Sequence, residues 1–175
     1  MNVDVDMIVA AEAWEGFDGL ETLTRACVDA SLSESGAALA DGCEMSVTFC
    51  ADDEIRELNA QWRGKDAPTN VLSFPTPGPV AARPLLGDIV VAYETVAREA
   101  AEQEKTLREH TAHMVIHGFL HLIGYDHETA AEAEEMESLE RRIASRLGLR
   151  DPYAGETAGE VDEAGELNEG HVDTI

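Results

Sequence analysis

Four short segments of the chain have the apolar patterns of β-strands. In the first, over residues 2–9, every second residue is apolar and these positions share one side: Val3, Val5, Met7 and Val9. EMSVTFC at 44–50 alternates in the same way, and LGDIVVAY at 86–93 has the composition of a buried strand. NVLSF at 70–74 is a short apolar piece inside a proline-rich region, and it can pair as a fourth strand.

Five other segments have the apolar spacing of amphipathic helices. The predicted helices cover residues 17–28, 52–62, 94–104, 107–123 and 129–147. The second begins with two aspartates, which suit a helix N-terminus, and it places Ile55, Leu58 and Trp62 on one face. The fourth stops at Gly124, and the fifth starts with TAAE, which fits a capping box.

The irregular order of these elements predicts an α+β fold, in which one domain has a mixed β-sheet packed with helices. The chain has 175 residues, of which 44% are hydrophobic, so it can bury a sizeable core. We assign the domain to residues 1–153. Residues 154–175 carry seven acidic side chains and no Lys or Arg, which predicts a disordered acidic tail.

The formal net charge of −24 disfavours non-specific binding to nucleic acids and anionic membranes. The odd number of cysteines and the absence of a C-x-x-C motif indicate small core residues rather than disulfides: Cys27, Cys43 and Cys50. No apolar stretch approaches the roughly 20 residues of a membrane span. The N-terminus has no basic region of a secretory signal, so we expect a cytoplasmic protein without membrane contacts.

The stretch HGFLHLIGYDH at 117–127 has the spacing of a metal site. His117 and His121 are four residues apart, so a helix places both on one face. Gly124 lets the chain leave the helix, and His127 returns toward the same point. Three neutral imidazoles suit one zinc ion, Zn2+, with a fourth position open to water, although nickel, copper or iron can use the same ligands. The sequence therefore predicts a metal site at the end of a central helix.

Two neighbouring positions refine this prediction. His113 lies eight residues before His121, about 12 Å along a helix axis, so the two do not easily share an ion, and we expect His113 to face the site or pack. Gly118 stands where metzincin proteases, which have the same ligand spacing, carry a glutamate base. This difference argues against peptide hydrolysis by that mechanism.

A phosphodiester substrate needs positive charge near the metal, and one segment supplies it. Residues 63–83 contain Arg63, Lys65 and Arg83 against a single acid, Asp66. In so acidic a chain, this is where we expect a phosphate to bind. The alternative is an ordinary solvated loop.

Three blocks of this sequence resemble the YbeY family of bacterial rRNA maturation factors. HGFLHLIGYDH at 117–127 is similar to the family's histidine signature throughout. LNAQWRGKDAPTNVLSFP at 58–75 and LLGDIVVA at 85–92 resemble the two blocks that precede it in family members. The resemblance covers about residues 1–153 and leaves out the acidic tail.

The resemblance implies a single-strand-specific, metal-dependent endoribonuclease acting in rRNA maturation, at the 16S rRNA 3′ end, and in ribosome quality control. It makes His117, His121 and His127 the zinc ligands. By the same resemblance, Arg63 is the functional arginine in a cleft that faces the metal. We add Lys65 as a second substrate-binding residue. The implied partners are RNA, a small-subunit ribosomal protein and the GTPase Era. Asn70 stands where many family members have aspartate, which weakens any acid–base role at that position.

Two other functions are also compatible with the residues alone. The chain can be a zinc hydrolase of another substrate class, such as a peptide or a small phosphoester. It can also be a ribosome assembly factor whose metal is mainly structural. A phosphate-binding Arg63 separates the first alternative from an endoribonuclease, and an open metal position separates both hydrolases from the assembly factor.

Overall fold

The computed structural model describes residues 3–154. Its four strands are β1 (Asp4–Val9), β2 (Glu44–Cys50), β3 (Val71–Pro75) and β4 (Leu85–Ala92). They form one sheet in the order β1-β2-β4-β3. β1, β2 and β4 run parallel, while β3 pairs antiparallel with β4 and forms an edge. The predicted mixed sheet is confirmed, and NVLSF does supply a strand.

Five α-helices connect and cover these strands. They are α1 (Leu20–Ser35), α2 (Asp52–Arg63), α3 (Tyr93–Glu102), α4 (Leu107–Leu122) and α5 (Ala130–Arg146). The predicted capping box at Thr129 and Glu132 is present at the start of α5. Two short 3-10 helices, Glu12–Gly16 and Val80–Ala82, were not predicted, because a single turn is too short to show a period.

The sheet separates a large core from a small one. The main core contains buried side chains of the sheet, α1, α4 and α5, and Ile89 and Val91 face it from β4. Val90 and Ala92 face the opposite side, where Ile55 of α2 covers them. The predicted apolar face of α2 is only partly buried, because Leu58 is half-buried and Trp62 is exposed.

Helix α4 is the central element of the fold. Every residue from His110 to Leu122 is buried, which explains why its apolar positions extend around the helix. At Gly118 it lies so close to the sheet that a Cβ atom there would stand 2.9 Å from Ile89 Cγ2. The position that carries a glutamate in metzincin proteases is therefore filled by β4 and has no room for that side chain.

The remaining expectations concern the cysteines, membranes and the tail. Cys27, Cys43 and Cys50 are buried free thiols, as predicted, and burial raises the pKa of Cys27 and of Cys50 to about 12. Within residues 3–154, no helix is long and apolar enough to cross a membrane. The disordered tail predicted for 154–175 lies outside the described residues, except for Ala154.

Candidate metal centre

His117 and His121 lie one turn apart near the end of α4, with their ring planes nearly perpendicular, at 80°. The two Nε2 atoms are 3.0 Å apart, and the ring centroids are 4.5 Å apart. The four-residue spacing produces this pairing, because residues i and i+4 of an α-helix lie on one face. Both side chains are buried. The helix thus presents two imidazole nitrogens at a short, defined separation.

His127 reaches the same place through the turn that follows α4. Gly124 adopts a φ of +104°, which glycine tolerates better than other residues, and the chain changes direction there. The His127 ring centroid lies 5.7 Å from that of His117 and 5.4 Å from that of His121. One ring nitrogen from each histidine lies within 4.8 Å of the other two. The structure therefore brings together the three histidines singled out in the sequence.

Hydrogen bonds determine which nitrogen of each helical ring carries the proton. His117 Nδ1 lies 2.9 Å from Glu140 Oε2, and His121 Nδ1 lies 2.7 Å from the carbonyl oxygen of Tyr125. Carboxylates and carbonyls only accept hydrogen bonds, so each Nδ1 is the protonated donor. In the neutral rings, the two Nε2 lone pairs then face each other across 3.0 Å. A cation bound between them removes the repulsion between these lone pairs.

The separation of these atoms fits a tetrahedral metal ion. Nitrogen ligands about 2.0–2.1 Å from a tetrahedral zinc lie roughly 3.3 Å from one another, close to the observed Nε2–Nε2 distance. Burial and the neighbouring His117 lower the pKa of His127, which favours the neutral ring that binds metals. Of the described residues, three join this group. Three ligands with one open position are typical of catalytic rather than structural zinc sites.

Glu140 of α5 supports this group from behind, and the sequence reasoning missed it. Its carboxylate is 1% exposed and receives hydrogen bonds from three groups: His117 Nδ1 and His113 Nε2 at Oε2, each 2.9 Å away, and Tyr153 OH at Oε1, 2.6 Å away. Burial raises the pKa of this carboxyl, but the nearby His117 and His113 outweigh that effect and hold it below its usual range. The sequence offered one clue to this role: Glu140 is a charged residue on the apolar face of α5, between Met136 and Ile143.

His113, His117 and Glu140 also lie close enough to be considered a second set of metal ligands. Their contacts have the geometry of hydrogen bonds, because both histidine nitrogens approach the same carboxylate oxygen at 2.9 Å. Burial lowers the pKa of His113 to about 4, although Glu140 acts in the opposite direction, so the ring is neutral at pH 7. We therefore assign His113 a supporting role, in which it bonds to Glu140 rather than to the metal. Its distance from His121 along the helix agrees with this assignment.

Comparisons with known proteins agree with this geometry. A sequence profile of the family described as Endoribonuclease YbeY matches residues 12–148. The chain belongs to the endoribonuclease YbeY family. An endoribonuclease YbeY from Methylocella silvestris is 56% identical over 149 residues, which cover 85% of each chain. Another from Allorhizobium ampelinum is 49% identical over 162 residues, covering 88% of this chain and 96% of the relative.

A solved structure supports the fold of this YbeY family member. The solution structure of TM1509 from Thermotoga maritima is 28% identical in sequence to this chain and has a TM-score of 0.53. The match covers 89% of this chain and all of that one.

Arg63 and Lys65, the substrate-binding candidates of this YbeY chain, lie at and just after the end of α2. The Arg63 guanidinium donates from Nη1 to Asn59 Oδ1 at 3.3 Å, and Asn59 in turn donates to the carbonyl oxygen of Ala67 at 2.8 Å. These bonds tie the end of the helix to the loop that follows. Gly64, with a φ of +70°, ends α2 and directs the chain into that loop.

The loop leads directly to β3, which packs against α4 beside the candidate ligands. Ser73 Oγ donates to the carbonyl oxygen of Gly118, at 3.3 Å. Arg83, the third cation of the segment, has a structural role, because it donates to the carbonyl oxygens of Leu122 and Gly78 at 2.8 Å each. It satisfies an orphan carbonyl at the end of α4. Arg83 is therefore tied to the helix that carries His121.

Asn70 belongs to a separate buried network. Its side chain donates to Glu99 Oε1 at 3.0 Å and accepts from the backbone N–H of Val71 at 2.7 Å. His110 Nε2 approaches the same Glu99 oxygen at 2.8 Å. An aspartate at position 70 would place a second carboxylate beside Glu99. The side-chain amide of Asn70 instead donates a hydrogen bond to Glu99. Asn70 thus stabilises the start of β3.

Proposed function

We propose that this chain is a zinc-dependent endoribonuclease that cleaves single-stranded RNA in rRNA maturation, including the 16S rRNA 3′ end, and in ribosome quality control in the cytoplasm. The observation that carries the proposal is the convergence of the His117 and His121 Nε2 atoms, 3.0 Å apart, with His127 beside them. The names of the relatives, each an endoribonuclease YbeY, supply the substrate class.

His117, His121 and His127 would hold one zinc ion through ring nitrogens. When bound with an open position, zinc supplies Lewis-acid chemistry: it lowers the pKa of a water and polarises a phosphoryl oxygen. The protein's own contribution is to direct the Nδ1 protons of both helical rings at Glu140 and at the Tyr125 carbonyl, which leaves the two Nε2 atoms for the metal. The rings therefore need no rearrangement before they bind the metal.

Arg63 would bind the scissile phosphate, and Lys65 a neighbouring phosphate. A guanidinium can donate two parallel hydrogen bonds to phosphate oxygens, which an ammonium group cannot reproduce. Gly118 adds support, because β4 fills the space that a glutamate base would need. A site with a nearby cation and without that carboxylate suits phosphodiester cleavage better than peptide hydrolysis.

The net charge indicates that partners help to deliver the substrate. At −24, the chain repels a polyanion at long range, so free RNA would associate slowly at low salt. We propose that a small-subunit ribosomal protein and the GTPase Era, the partners implied by the family resemblance, bring the protein to the rRNA. Local positive charge at Arg63 and Lys65 then acts only at short range.

Cleavage of a defined single-stranded RNA, followed by analysis of the product ends, tests this function. We expect cleavage by the zinc-loaded protein, loss of cleavage after chelation, and recovery when zinc is restored. Full cleavage by chelated protein would contradict a catalytic metal. The absence of cleavage with zinc present would favour an assembly factor with a structural metal.

A substitution at Arg63 tests the phosphate-binding role. Arg63→Ala should keep the fold and the metal but lose cleavage by about 10² or more, and Arg63→Lys should restore only part of it. Arg142→Ala is a matched control, because Arg142 is an exposed arginine on a different helix, α5, where it pairs with Glu34. Equal cleavage by the Arg63→Ala and wild-type proteins, at equal metal content, would remove Arg63 from the mechanism.

A further inference from the structure

Trp62 is the one aromatic side chain among residues 3–154 that is largely exposed, at 46%. It lies in the last turn of α2, on the side that its spacing from Ile55 and Leu58 predicts to be buried. Its ring packs against Phe74, with centroids 6.1 Å apart and planes inclined by 63°. An indole held by one aromatic neighbour and open to solvent is suited to contact a flat partner.

Two cationic residues follow this indole in the sequence. Arg63 follows it directly, and the exposed Lys65 comes two residues later. The nearest acid in sequence, Asp66, is occupied by Arg56, whose Nε donates to it at 2.7 Å. Residues 62–66 thus contain two basic residues and one acid, whereas the whole chain has a net charge of −24. Aromatic and cationic side chains together are the combination that binds single-stranded nucleic acids.

Trp62 and the candidate metal centre lie on opposite faces of the same edge strand. Phe74 of β3 contacts Trp62, while the preceding residue, Ser73, points the other way and donates to the carbonyl oxygen of Gly118. Gly118 immediately follows His117 on α4. Because β3 is an edge strand, an RNA strand that contacts both places would cross the edge of the sheet there.

We propose that Trp62 is a stacking platform for one base of the single-stranded RNA, with Arg63 and Lys65 binding the phosphates beside it. This inference rests on the proposed function. It also explains how so acidic a protein binds a polyanion, because stacking does not depend on long-range charge. In a duplex, the bases are already stacked on each other and cannot cover the indole, so the platform selects single strands.

Tryptophan fluorescence tests the stacking in the wild-type protein. The chain contains two tryptophans, and Trp14 is 1% exposed, with its indole N–H bonded to the carbonyl oxygen of Cys50. Quenching by a ligand therefore reports on Trp62. We expect a short 2′-O-methyl single-stranded oligonucleotide to quench the zinc-loaded protein, and an abasic oligonucleotide of the same length to leave the emission unchanged. Equal quenching by both would overturn the stacking proposal.

Substitutions separate this proposal from the proposed function. Trp62→Ala should weaken binding of the oligonucleotide by roughly 10- to 100-fold, and Trp62→Phe by much less. The matched control is Ile8→Ala, which removes another exposed apolar side chain, 43% exposed, at the opposite edge of the sheet. Its affinity should equal that of the wild type. Zinc content should be unchanged in all three variants.

The possible results have distinct meanings. If the wild type fails to bind the oligonucleotide at all, the proposed function itself is wrong. If the wild type binds and Trp62→Ala binds equally well, Trp62 is not a stacking platform. If Trp62→Ala loses the same factor on the abasic oligonucleotide, its role is structural, and the stacking proposal is likewise overturned.

Discussion

Glu140 accepts hydrogen bonds at both carboxylate oxygens, and this arrangement connects the candidate metal ligand His117 to Tyr153. Oε2 accepts from His117 and His113, and Oε1 accepts from the hydroxyl group of Tyr153. Carboxylate partners of metal-binding histidines fix the ring orientation and increase its basicity. Glu140 is not one of the three candidate ligands, but its hydrogen bond to His117 holds that ring in the orientation needed to bind a metal.

Glu140→Gln should lower the zinc affinity by roughly 10- to 100-fold. A glutamine has one acceptor oxygen and one donor group, so it cannot accept from all three neighbours of Glu140. Competition with a chromophoric chelator measures the affinity. Glu134→Gln is the control, because Glu134 lies on the exposed face of the same helix. An unchanged affinity in Glu140→Gln would show that the hydrogen bond to His117 does not position the ring for the metal.

At the scale of elements, α4 is held at both ends. Thr106 and Glu109 form a capping box at its start, and Arg150 reaches across from the C-terminal segment to bind both Glu109 oxygens, at 2.7 and 2.5 Å. Arg83 binds the carbonyl oxygen of Leu122 at its end. Because His117 and His121 lie in the last two turns, the anchoring of this helix also fixes their position.

Glu109→Gln should lower the melting temperature at pH 7 by up to a few degrees, because glutamine can keep the capping box but loses the charged pairing with Arg150, which contributes about 0.2–1 kcal/mol for an exposed pair. The hydrogen bond with Arg150 lowers the pKa of Glu109 from 4.5 to about 2. A lowered carboxyl pKa stabilises the fold above pH 4.5, and this stabilisation is lost between pH 4.5 and 2. Thermal melts of both proteins at several pH values should therefore converge in that window. A difference that stays constant down to pH 3 would contradict this account.

At the scale of the whole molecule, the unusual property is the formal net charge of −24. Residues 155–175 contain seven acidic side chains and no Lys or Arg, so truncation after Ala154 changes the formal net charge from −24 to about −17. We expect the truncated protein to keep its zinc content and to bind RNA more tightly at low salt, because there is less repulsion. The difference should shrink as salt screens the charges. A salt-independent difference, or a large loss of thermal stability, would show that the segment acts through direct contacts instead.

The sequence predicted the parts of this molecule that depend on local spacing. The interval between His117 and His121 is one helical turn, and alternation in EMSVTFC is enough to define β2. The parts that depend on distant contacts were not predictable in the same way. Glu140 meets a ring 23 residues away, and the exposure of Trp62 depends on where α2 ends relative to β3. Periodicity describes one element at a time and does not specify which elements meet.

The central claim is that three histidines hold one metal ion, and zinc titration tests it most directly. Calorimetry on metal-stripped protein should give one tightly bound zinc per wild-type chain and no tight site in His117→Ala or His121→Ala. A 100-fold excess of zinc over its Kd should stabilise the wild type by about 2.7 kcal/mol, or roughly 5–10 °C, and should not stabilise the variants. Tight binding of one zinc by both variants would contradict the assignment of the metal centre.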